Sequence, residues 1–293
     1  PYWMLTWWTI LFSRMVDTLI AKKVFRRPVV IFPNSLGPFR TAVGVLLARI
    51  ILNSVDLIML REPRSYDLLG KLDVRTRRVT ATDVALLLEC DRSRFGASVP
   101  VPAVGVCPAL YAMSFSKDEV RRYILAHARV LDWLAREHGY HIVFLPHEIS
   151  GVKDYDDLQL SRSIMQNMEE ACKAKIVETE SVEEFKCCLL RLDLLITSRM
   201  HPSVLACADG VPTLMEVYDH KQLGFFAQFG LGKYLLAVKG ISEEQLMNKV
   251  KALLHEKDNV RKQLQSRVPM LKEDLRRKLR EAVVHLWEGA AQA

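Results

Sequence analysis

The residues of this chain best equipped for chemistry gather between positions 192 and 221. An apolar run, Leu192-Asp193-Leu194-Leu195-Ile196, passes into Thr197-Ser198-Arg199-Met200-His201-Pro202-Ser203, and a later run, 212–217, ends in Tyr218-Asp219-His220-Lys221. Arginine offers a planar fork of donors for an oxyanion, lysine a compact positive charge, and histidine a proton that comes off near neutrality. Arg199, His201 and Lys221 are therefore the residues expected to hold an anion and move a proton. Residues 192–196 read as a buried strand, Pro202 suits the first position of a short helix over 203–208, Gly210 closes that helix, and 212–217 reads as a second buried strand. If the two strands are parallel neighbours joined by the helix, both polar ends emerge on one carboxyl edge, where open α/β sheets bind ligands.

The rest of the chain repeats this alternation. A helical pattern over 5–22 leads to an apolar strand at 29–32 and a turn at 33–38; a helix over 40–53 precedes a strand at 56–60, whose polar exit is Arg61-Glu62-Pro63-Arg64-Ser65. A short helix to Leu69 and a strand at 79–82 ending in Asp83 follow. Residues 96–102, with two prolines and little periodicity, read as a linker. Beyond it come strands at 103–107, 141–145 and 174–177, alternating with helices over 117–137, 157–172 and 182–190. From Ser242, a good N-cap before Glu243 and Glu244, the chain is helical and charged; Pro269 is expected to interrupt it, and 270–287 resumes as an amphipathic helix. The expected fold class is α/β, with doubly wound sheets in tandem. The expected domains are residues 1–97, 103–240 and a helical segment 241–293.

At 293 residues, 50% hydrophobic and 26% charged, the chain has an ordinary globular composition, which excludes disorder as its general state. A net charge of +7 and a pI near 9.1 favour anionic ligands or an anionic membrane surface, although Lys and Arg form no long block; no nucleic-acid partner is expected. The six cysteines include no Cys-x-x-Cys pair, and Cys90, Cys107, Cys172 and Cys207 sit among apolar or helical neighbours, so buried reduced thiols and a cytoplasmic setting are expected. Residues 1–13 are uncharged and rich in tryptophan, but Arg14 and Asp17 end the run short of the roughly 20 residues a spanning helix needs, so a buried core helix is expected there. The basic amphipathic C-terminal helix could touch a membrane, though packing on the domains is commoner. The chain begins with Pro, with its first element already in a pattern, and reads as an N-terminally incomplete fragment.

Several short stretches, taken in order, resemble the polysaccharide pyruvyl transferase family: Asn34-Ser35-Leu36-Gly37-Pro38-Phe39, then Asp56 through Arg61-Glu62-Pro63-Arg64-Ser65, then Thr82-Asp83, then Asp193 with Ser198-Arg199-Met200-His201, and finally Gly210-Val211-Pro212 with Tyr218-Asp219-His220-Lys221. The resemblance implies two Rossmann-like domains in a GT-B-type arrangement. It also implies transfer of the enolpyruvyl carbons of phosphoenolpyruvate onto a sugar hydroxyl to make a pyruvate ketal, without metal or organic cofactor. The acceptor would be a glycan or lipid-linked sugar, handled in the cytoplasm or at the inner face of the membrane. The matching donor-site positions are Arg199, His201 and Lys221. Met200 stands where the family usually has Leu, and the family's early Gly-Asp loop is absent, so part of the acceptor site is expected to lie outside this chain. Phosphoenolpyruvate carries a phosphate and a carboxylate, which suits Arg199, Lys221 and the helix start near Pro202. Ketal formation needs a proton on the methylene carbon, a step that fits His201. Arg61, Arg64 and Ser65 on the facing domain could contact donor or acceptor.

Other readings stay open at this point. His201 could be a structural histidine, Lys221 a solvated surface charge, and Arg61 half of an ion pair with Glu62 or Asp56. Asn34, Ser35 and Gly37 could only shape a turn. His138, His141, His147 and Glu148 lack the His-Glu-x-x-His spacing of a metal helix, while His147-Glu148, at the end of the strand over 141–145, falls near a ligand crevice by topology. A nucleotide-sugar glycosyltransferase or a non-catalytic binding module for anionic sugars would use the same architecture.

Overall fold

Parallel strands covered by helices on both faces must be apolar throughout, and the short apolar runs of this chain become such strands. The computed structural model describes all residues except 1, 38, 40, 92–98, 111–114, 150–155, 219 and 292–293, and describes side chains outside 2–8, 64, 220, 221 and 287–293. The chain forms two compact units, Pro1–Val84 with Met270–Ala293, and Ala85–Pro269.

The first unit holds α1 (Tyr2–Leu19), β1 (Val30–Asn34), α2 (Ala42–Ser54), β2 (Leu57–Leu60), α3 (Pro63–Lys71) and β3 (Arg78–Thr80). Its three strands run parallel in the order β1-β2-β3. All four residues of β2 are buried, and Ile58 and Leu60 pack with Ala48 and Leu52 of α2 and Leu69 of α3. Thr41 caps α2, its side chain accepting from the Gly44 N–H at 3.1 Å. The N-terminal helix differs from expectation: residues 9–19 include none that is buried, and Ile10 and Phe12 are exposed. Within this unit α1 lies along α2, so only one stripe of it finds apolar cover.

The second unit contains β4 (Ala103–Cys107), α4 (Lys117–His138), β5 (His141–Phe144), α5 (Asp157–Gln166), β6 (Ala174–Ile176), α6 (Val182–Leu189), β7 (Leu194–Thr197), α7 (Met200–Cys207), β8 (Thr213–Val217), α8 (His220–Phe229) and β9 (Leu235–Ala237). Its six parallel strands lie in the order β6-β5-β4-β7-β8-β9. Counting from β4, that is 3-2-1-4-5-6, the Rossmann order, in which the winding direction reverses between β4 and β7. The first helix of the unit, α4, opens on a Ser116/Glu119 capping box and closes on Gly139, whose φ of +68° is costly for any residue with a Cβ. The core joins Ala103 and Cys107 of β4, Val143 of β5, Phe185 and Cys188 of α6, Leu195 of β7 and Leu205 of α7. Both units are α/β with Rossmann-like parallel sheets.

Two further expectations are corrected. The long C-terminal helix α9 (Glu243–Ala291) continues through Pro269. Proline there forfeits one hydrogen bond and crowds the preceding turn, at about 3 kcal/mol or more, but buried Leu264 and Val268 before it and Leu275 after it hold the flanking turns. Among the cysteines, all six are unpaired, yet Cys172 is exposed and Cys90 half-buried, while Cys107, Cys187, Cys188 and Cys207 are buried. No helix among the described residues is long and apolar enough to cross a membrane.

The centre of the sheet is tight around Gly105 in β4, where an added Cβ would come within 2.2 Å of Leu192 Cδ1 and 3.1 Å of Leu195 Cδ1. Gly105→Ala is expected to destabilise by about 1–3 kcal/mol, the usual range for overpacking, and to lower the melting temperature by roughly 2–10 °C. An unchanged melting temperature would mean that Leu192 has free space to turn into.

Candidate functional site

The winding reversal between β4 and β7 leaves a crevice at the carboxyl ends of these strands, because the connections to either side leave in opposite directions. The chain leaving β7 is pinned there by backbone and side chain together. Ser198 N–H donates to the Cys107 carbonyl at 3.1 Å, and Thr197 Oγ1 accepts from Arg199 N–H at 2.9 Å. Arg199 is the N-cap of α7, which starts three residues before the expected helix over 203–208. Pro202 is thus its third residue, still among the four whose N–H has no partner inside the helix, so the proline costs no bond. The parallel neighbours β7 and β8 end on the same edge, as expected, and α8 begins there with His220 and Lys221 in its first turn. The side chain of Lys221 lies outside the described residues.

Arg199 is 7% exposed, and its guanidinium is tied to acids from two other elements. Nε lies 3.0 Å and Nη2 2.7 Å from the two carboxylate oxygens of Asp157, a forked pairing, and Nη1 lies 2.6 Å from Glu148 Oε2. Asp157, the first residue of α5, also accepts the N–H groups of His147 at 3.2 Å and Glu148 at 3.0 Å. Burial pushes the Asp157 carboxyl above its ordinary range, opposed by Arg199 and by these N–H donors. The two acids are not equivalent: the Asp157 side chain is 2% exposed, that of Glu148 47%. Asp157 is built into the protein interior, whereas Glu148 reaches water and can leave without stranding a charge.

The other histidine of this edge, His147, leaves the end of β5 and stacks on His201, with ring centroids 6.1 Å apart and planes 19° from parallel, while Phe185 meets its other side edge-on at 5.6 Å. Both histidines keep solvent exposure. The His147 imidazole is pushed down to about 4, first by lost hydration of the ring, then by the positive charge of Arg199 and His201, with Glu148 pulling the other way. His147 is therefore neutral at physiological pH. The sequence placed His147 and Glu148 near the crevice; it carried no signal for Asp157, which there is only one more acid at a helix start.

The remaining predicted residues lie at the carboxyl edge of the three-stranded sheet in the first unit. Arg61 Nε donates to Ser35 Oγ at 2.8 Å, and Nη1 lies 2.5 Å from Asp83 Oδ2. The partner of Arg61 is thus Asp83, not Asp56, whose carboxylate instead takes Lys22 Nζ at 2.7 Å. Ser65 accepts from Leu36 N–H at 2.9 Å and donates to Glu62, and Asn34 Oδ1 accepts from Ser35 N–H at 2.8 Å. Asn34, Ser35, Arg61 and Ser65 therefore form one polar cluster, with Arg61 and Ser65 largely buried in it. Thr82 Oγ1, next to Asp83 in the chain, is buried without a hydrogen-bond partner among the described residues. No grouping of three or more metal-ligating side chains occurs among the described residues.

Residues 3–220 match the family model described as polysaccharide pyruvyl transferase. The amylovoran biosynthesis protein AmsJ of Erwinia amylovora is 23% identical over 271 residues, which cover 86% of this chain and 63% of AmsJ. The chain thus spans less than two thirds of that relative. Among solved structures, Anabaena HepE in complex with UDP and glucose superimposes with a TM-score of 0.57 at 12% identity, over 92% of this chain and 75% of HepE. The UDP-GlcNAc 2-epimerase of Methanocaldococcus jannaschii gives 0.57 at 14% identity, over 81% of this chain and 66% of its own. At these identities the likeness is one of fold.

The His147 environment is open to direct test. Because the ring keeps a path to water, its apparent value is expected between about 4 and the free imidazole's roughly 6.5, lower still in Glu148→Gln, where the opposing negative charge is gone. A folded-state value below the unfolded one means the unfolded chain binds more protons across that window. Its contribution to stability therefore rises with pH between those values and is level above them. NMR titration of the ring resonances is the measurement; a free-imidazole value would show that the ring is not packed as described.

Proposed function

Because this chain belongs to the polysaccharide pyruvyl transferase family, we propose that it takes part in polysaccharide biosynthesis as a transferase that moves the enolpyruvyl group of phosphoenolpyruvate onto a sugar hydroxyl. The observation that carries this reading is Arg199 and His201 side by side at the winding reversal of the six-stranded sheet, inside the stretch the family model matches. Asp157 holds the guanidinium in one plane, and the donor's carboxylate or phosphate takes the place of Glu148 on Nη1. Lys221 and the N–H groups at the start of α7 add positive character. His201, exposed at the crevice, gives its proton to the methylene carbon. The resulting oxocarbenium-like carbon is attacked by a sugar hydroxyl, which loses its proton; a second hydroxyl of the same sugar then displaces inorganic phosphate and closes the ketal. A neutral His147 beside His201 adds no charge that would oppose protonation of that ring.

The polar cluster of Asn34, Ser35, Arg61 and Ser65 is assigned to substrate contact in the same reading, and the unpaired hydroxyl of Thr82 suits a hydroxyl-rich sugar acceptor. Six unpaired cysteines support a reducing, cytoplasmic setting. Phosphate release from phosphoenolpyruvate, assayed with a panel of glycan and lipid-linked acceptors, tests the reading. Binding of UDP- or GDP-sugars with no release from phosphoenolpyruvate would favour a glycosyltransferase instead, and binding without turnover an anionic-sugar module.

Two sets of variants test the roles. Arg199→Lys keeps the charge but cannot span Asp157 and the donor with one plane of donors, and should weaken phosphoenolpyruvate binding by about 1.5–3 kcal/mol. Glu148→Gln should act in the opposite direction and tighten binding roughly threefold to tenfold, a modest gain because a half-exposed carboxylate competes weakly. Calorimetry on both variants decides the matter; tighter binding of Arg199→Lys, or weaker binding of Glu148→Gln, would remove the displacement step. For His201→Gln, donor affinity should stay near that of the parent while single-turnover rate falls roughly 10²–10⁴-fold, the usual share of general acid catalysis. Parent-like turnover would take His201 out of the mechanism.

A further inference from the structure

A buried charged cluster lies beneath the Ser198-Arg199 turn, and the reaction just described makes no use of it. Glu216, within β8, is 0% exposed. Its carboxylate accepts from Tyr123 Oη at 2.7 Å and Ser198 Oγ at 2.7 Å on one oxygen, and faces His127 Nε2 at 2.6 Å with the other. Nδ1 of His127 lies 2.8 Å from the Tyr123 carbonyl. A carbonyl oxygen only accepts, so Nδ1 carries a proton. Burial pushes the Glu216 carboxyl up, but His127, Ser198 and Tyr123 together outweigh it and leave it below the ordinary carboxylate range. His127 therefore keeps one N–H on the Tyr123 carbonyl and turns Nε2 to the carboxylate, while burial keeps the Tyr123 phenol protonated.

A carboxylate this deep is a poor way to gain stability, since apolar groups of the same volume commonly do as well or better. What it supplies is direction. Ser198 Oγ is bound to Glu216 and accepts the Ala109 N–H at 3.3 Å, its N–H is bound to Cys107, and its carbonyl accepts from Gln222 Nε2 at 2.8 Å. Every polar group of Ser198 is thereby tied down, one residue before Arg199 and three before His201. We propose that Glu216 is a positioning residue which, through Ser198, sets the orientation of the turn carrying Arg199 and His201, with Tyr123 and His127 holding the carboxylate in place. The proposal deepens the transferase reading and rests on it for its effect on rate; its geometric part stands apart from it.

The test uses the whole chain and the variants Glu216→Met and Tyr123→Phe. Met fills the space but offers no oxygen, so His127 Nε2 and both hydroxyls lose their partner; Tyr123→Phe removes a hydroxyl that lies 2.7 Å from the Glu216 carboxylate and 2.9 Å from Ser198 Oγ, and strands no charge. Thermal melting, hydrogen exchange by mass spectrometry and phosphoenolpyruvate-dependent phosphate release are measured on each. Expected are a retained melting transition, exchange about tenfold or more faster over residues 197–203 with residues 141–145 unchanged, and kcat per folded molecule lower by roughly 10–100-fold. Tyr123→Phe should show the same pattern, smaller, and decides the question if Glu216→Met does not fold. Parent-like exchange over 197–203, or protection lost uniformly across the sheet with kcat of the folded fraction unchanged, overturns the proposal. Should the parent release no phosphate from phosphoenolpyruvate, the transferase reading fails alone, and exchange over 197–203 still decides the role of Glu216.

Discussion

A guanidinium that is nine-tenths buried has to be neutralised where it lies, and the pairing of Arg199 with Asp157 does this at the carboxyl edge of the six-stranded sheet. Asp157 meets that need only because its second function is architectural. It starts α5 and collects the N–H groups of His147 and Glu148, so the end of β5, the start of α5 and the turn after β7 converge on one carboxylate. Removing Asp157 would take the forked partner from a buried guanidinium and the shared acceptor from the N–H groups of His147 and Glu148 at once. Much of the site geometry therefore follows from a single acid.

The surroundings of that pair divide into fixed and movable charges. Asp157 and Glu216 are enclosed and saturated with donors, whereas Glu148 is half in water and makes only one close contact with Arg199. A guanidinium between two carboxylates carries a local excess of negative charge, which opposes any anionic substrate. Exchange of one carboxylate for another leaves the charge balance unchanged, and Glu148 is the one that water can receive. The stacking of His147 on His201 belongs to the same economy: a ring kept neutral beside Arg199 occupies space without adding a charge.

Arg61 in the first unit shows how far a residue type can mislead when partners are sought nearby. Asp56 is an acid close to it in sequence, yet Lys22 takes that carboxylate, and the guanidinium reaches Asp83 beyond the next strand. In a parallel sheet the ends of successive strands are neighbours even when more than twenty residues separate them. Partners for polar residues at such ends are found across strands more readily than along them.

The sequence by itself determined the alternation of apolar runs with amphipathic stretches, and from it the α/β class, eight of the nine strands among the described residues to within a few residues, and the gathering of Arg199 and His201 at a strand's carboxyl end. Those features are local, because buried parallel strands must be apolar throughout and helix ends must be capped. The helix start at Met200, the passage of α9 through Pro269 and the exposure of residues 9–19 in α1 escaped it, since each depends on what packs alongside. Only the tertiary structure decided that Arg199 finds Asp157, 42 residues earlier, that His147 lies over His201, and that Glu216, one acid in an apolar run, meets His127 and Tyr123 from α4. The physical reason is that periodicity specifies which face of an element is buried, whereas the partner of a buried charge is set by the order of strands in the sheet, and no local pattern encodes that order.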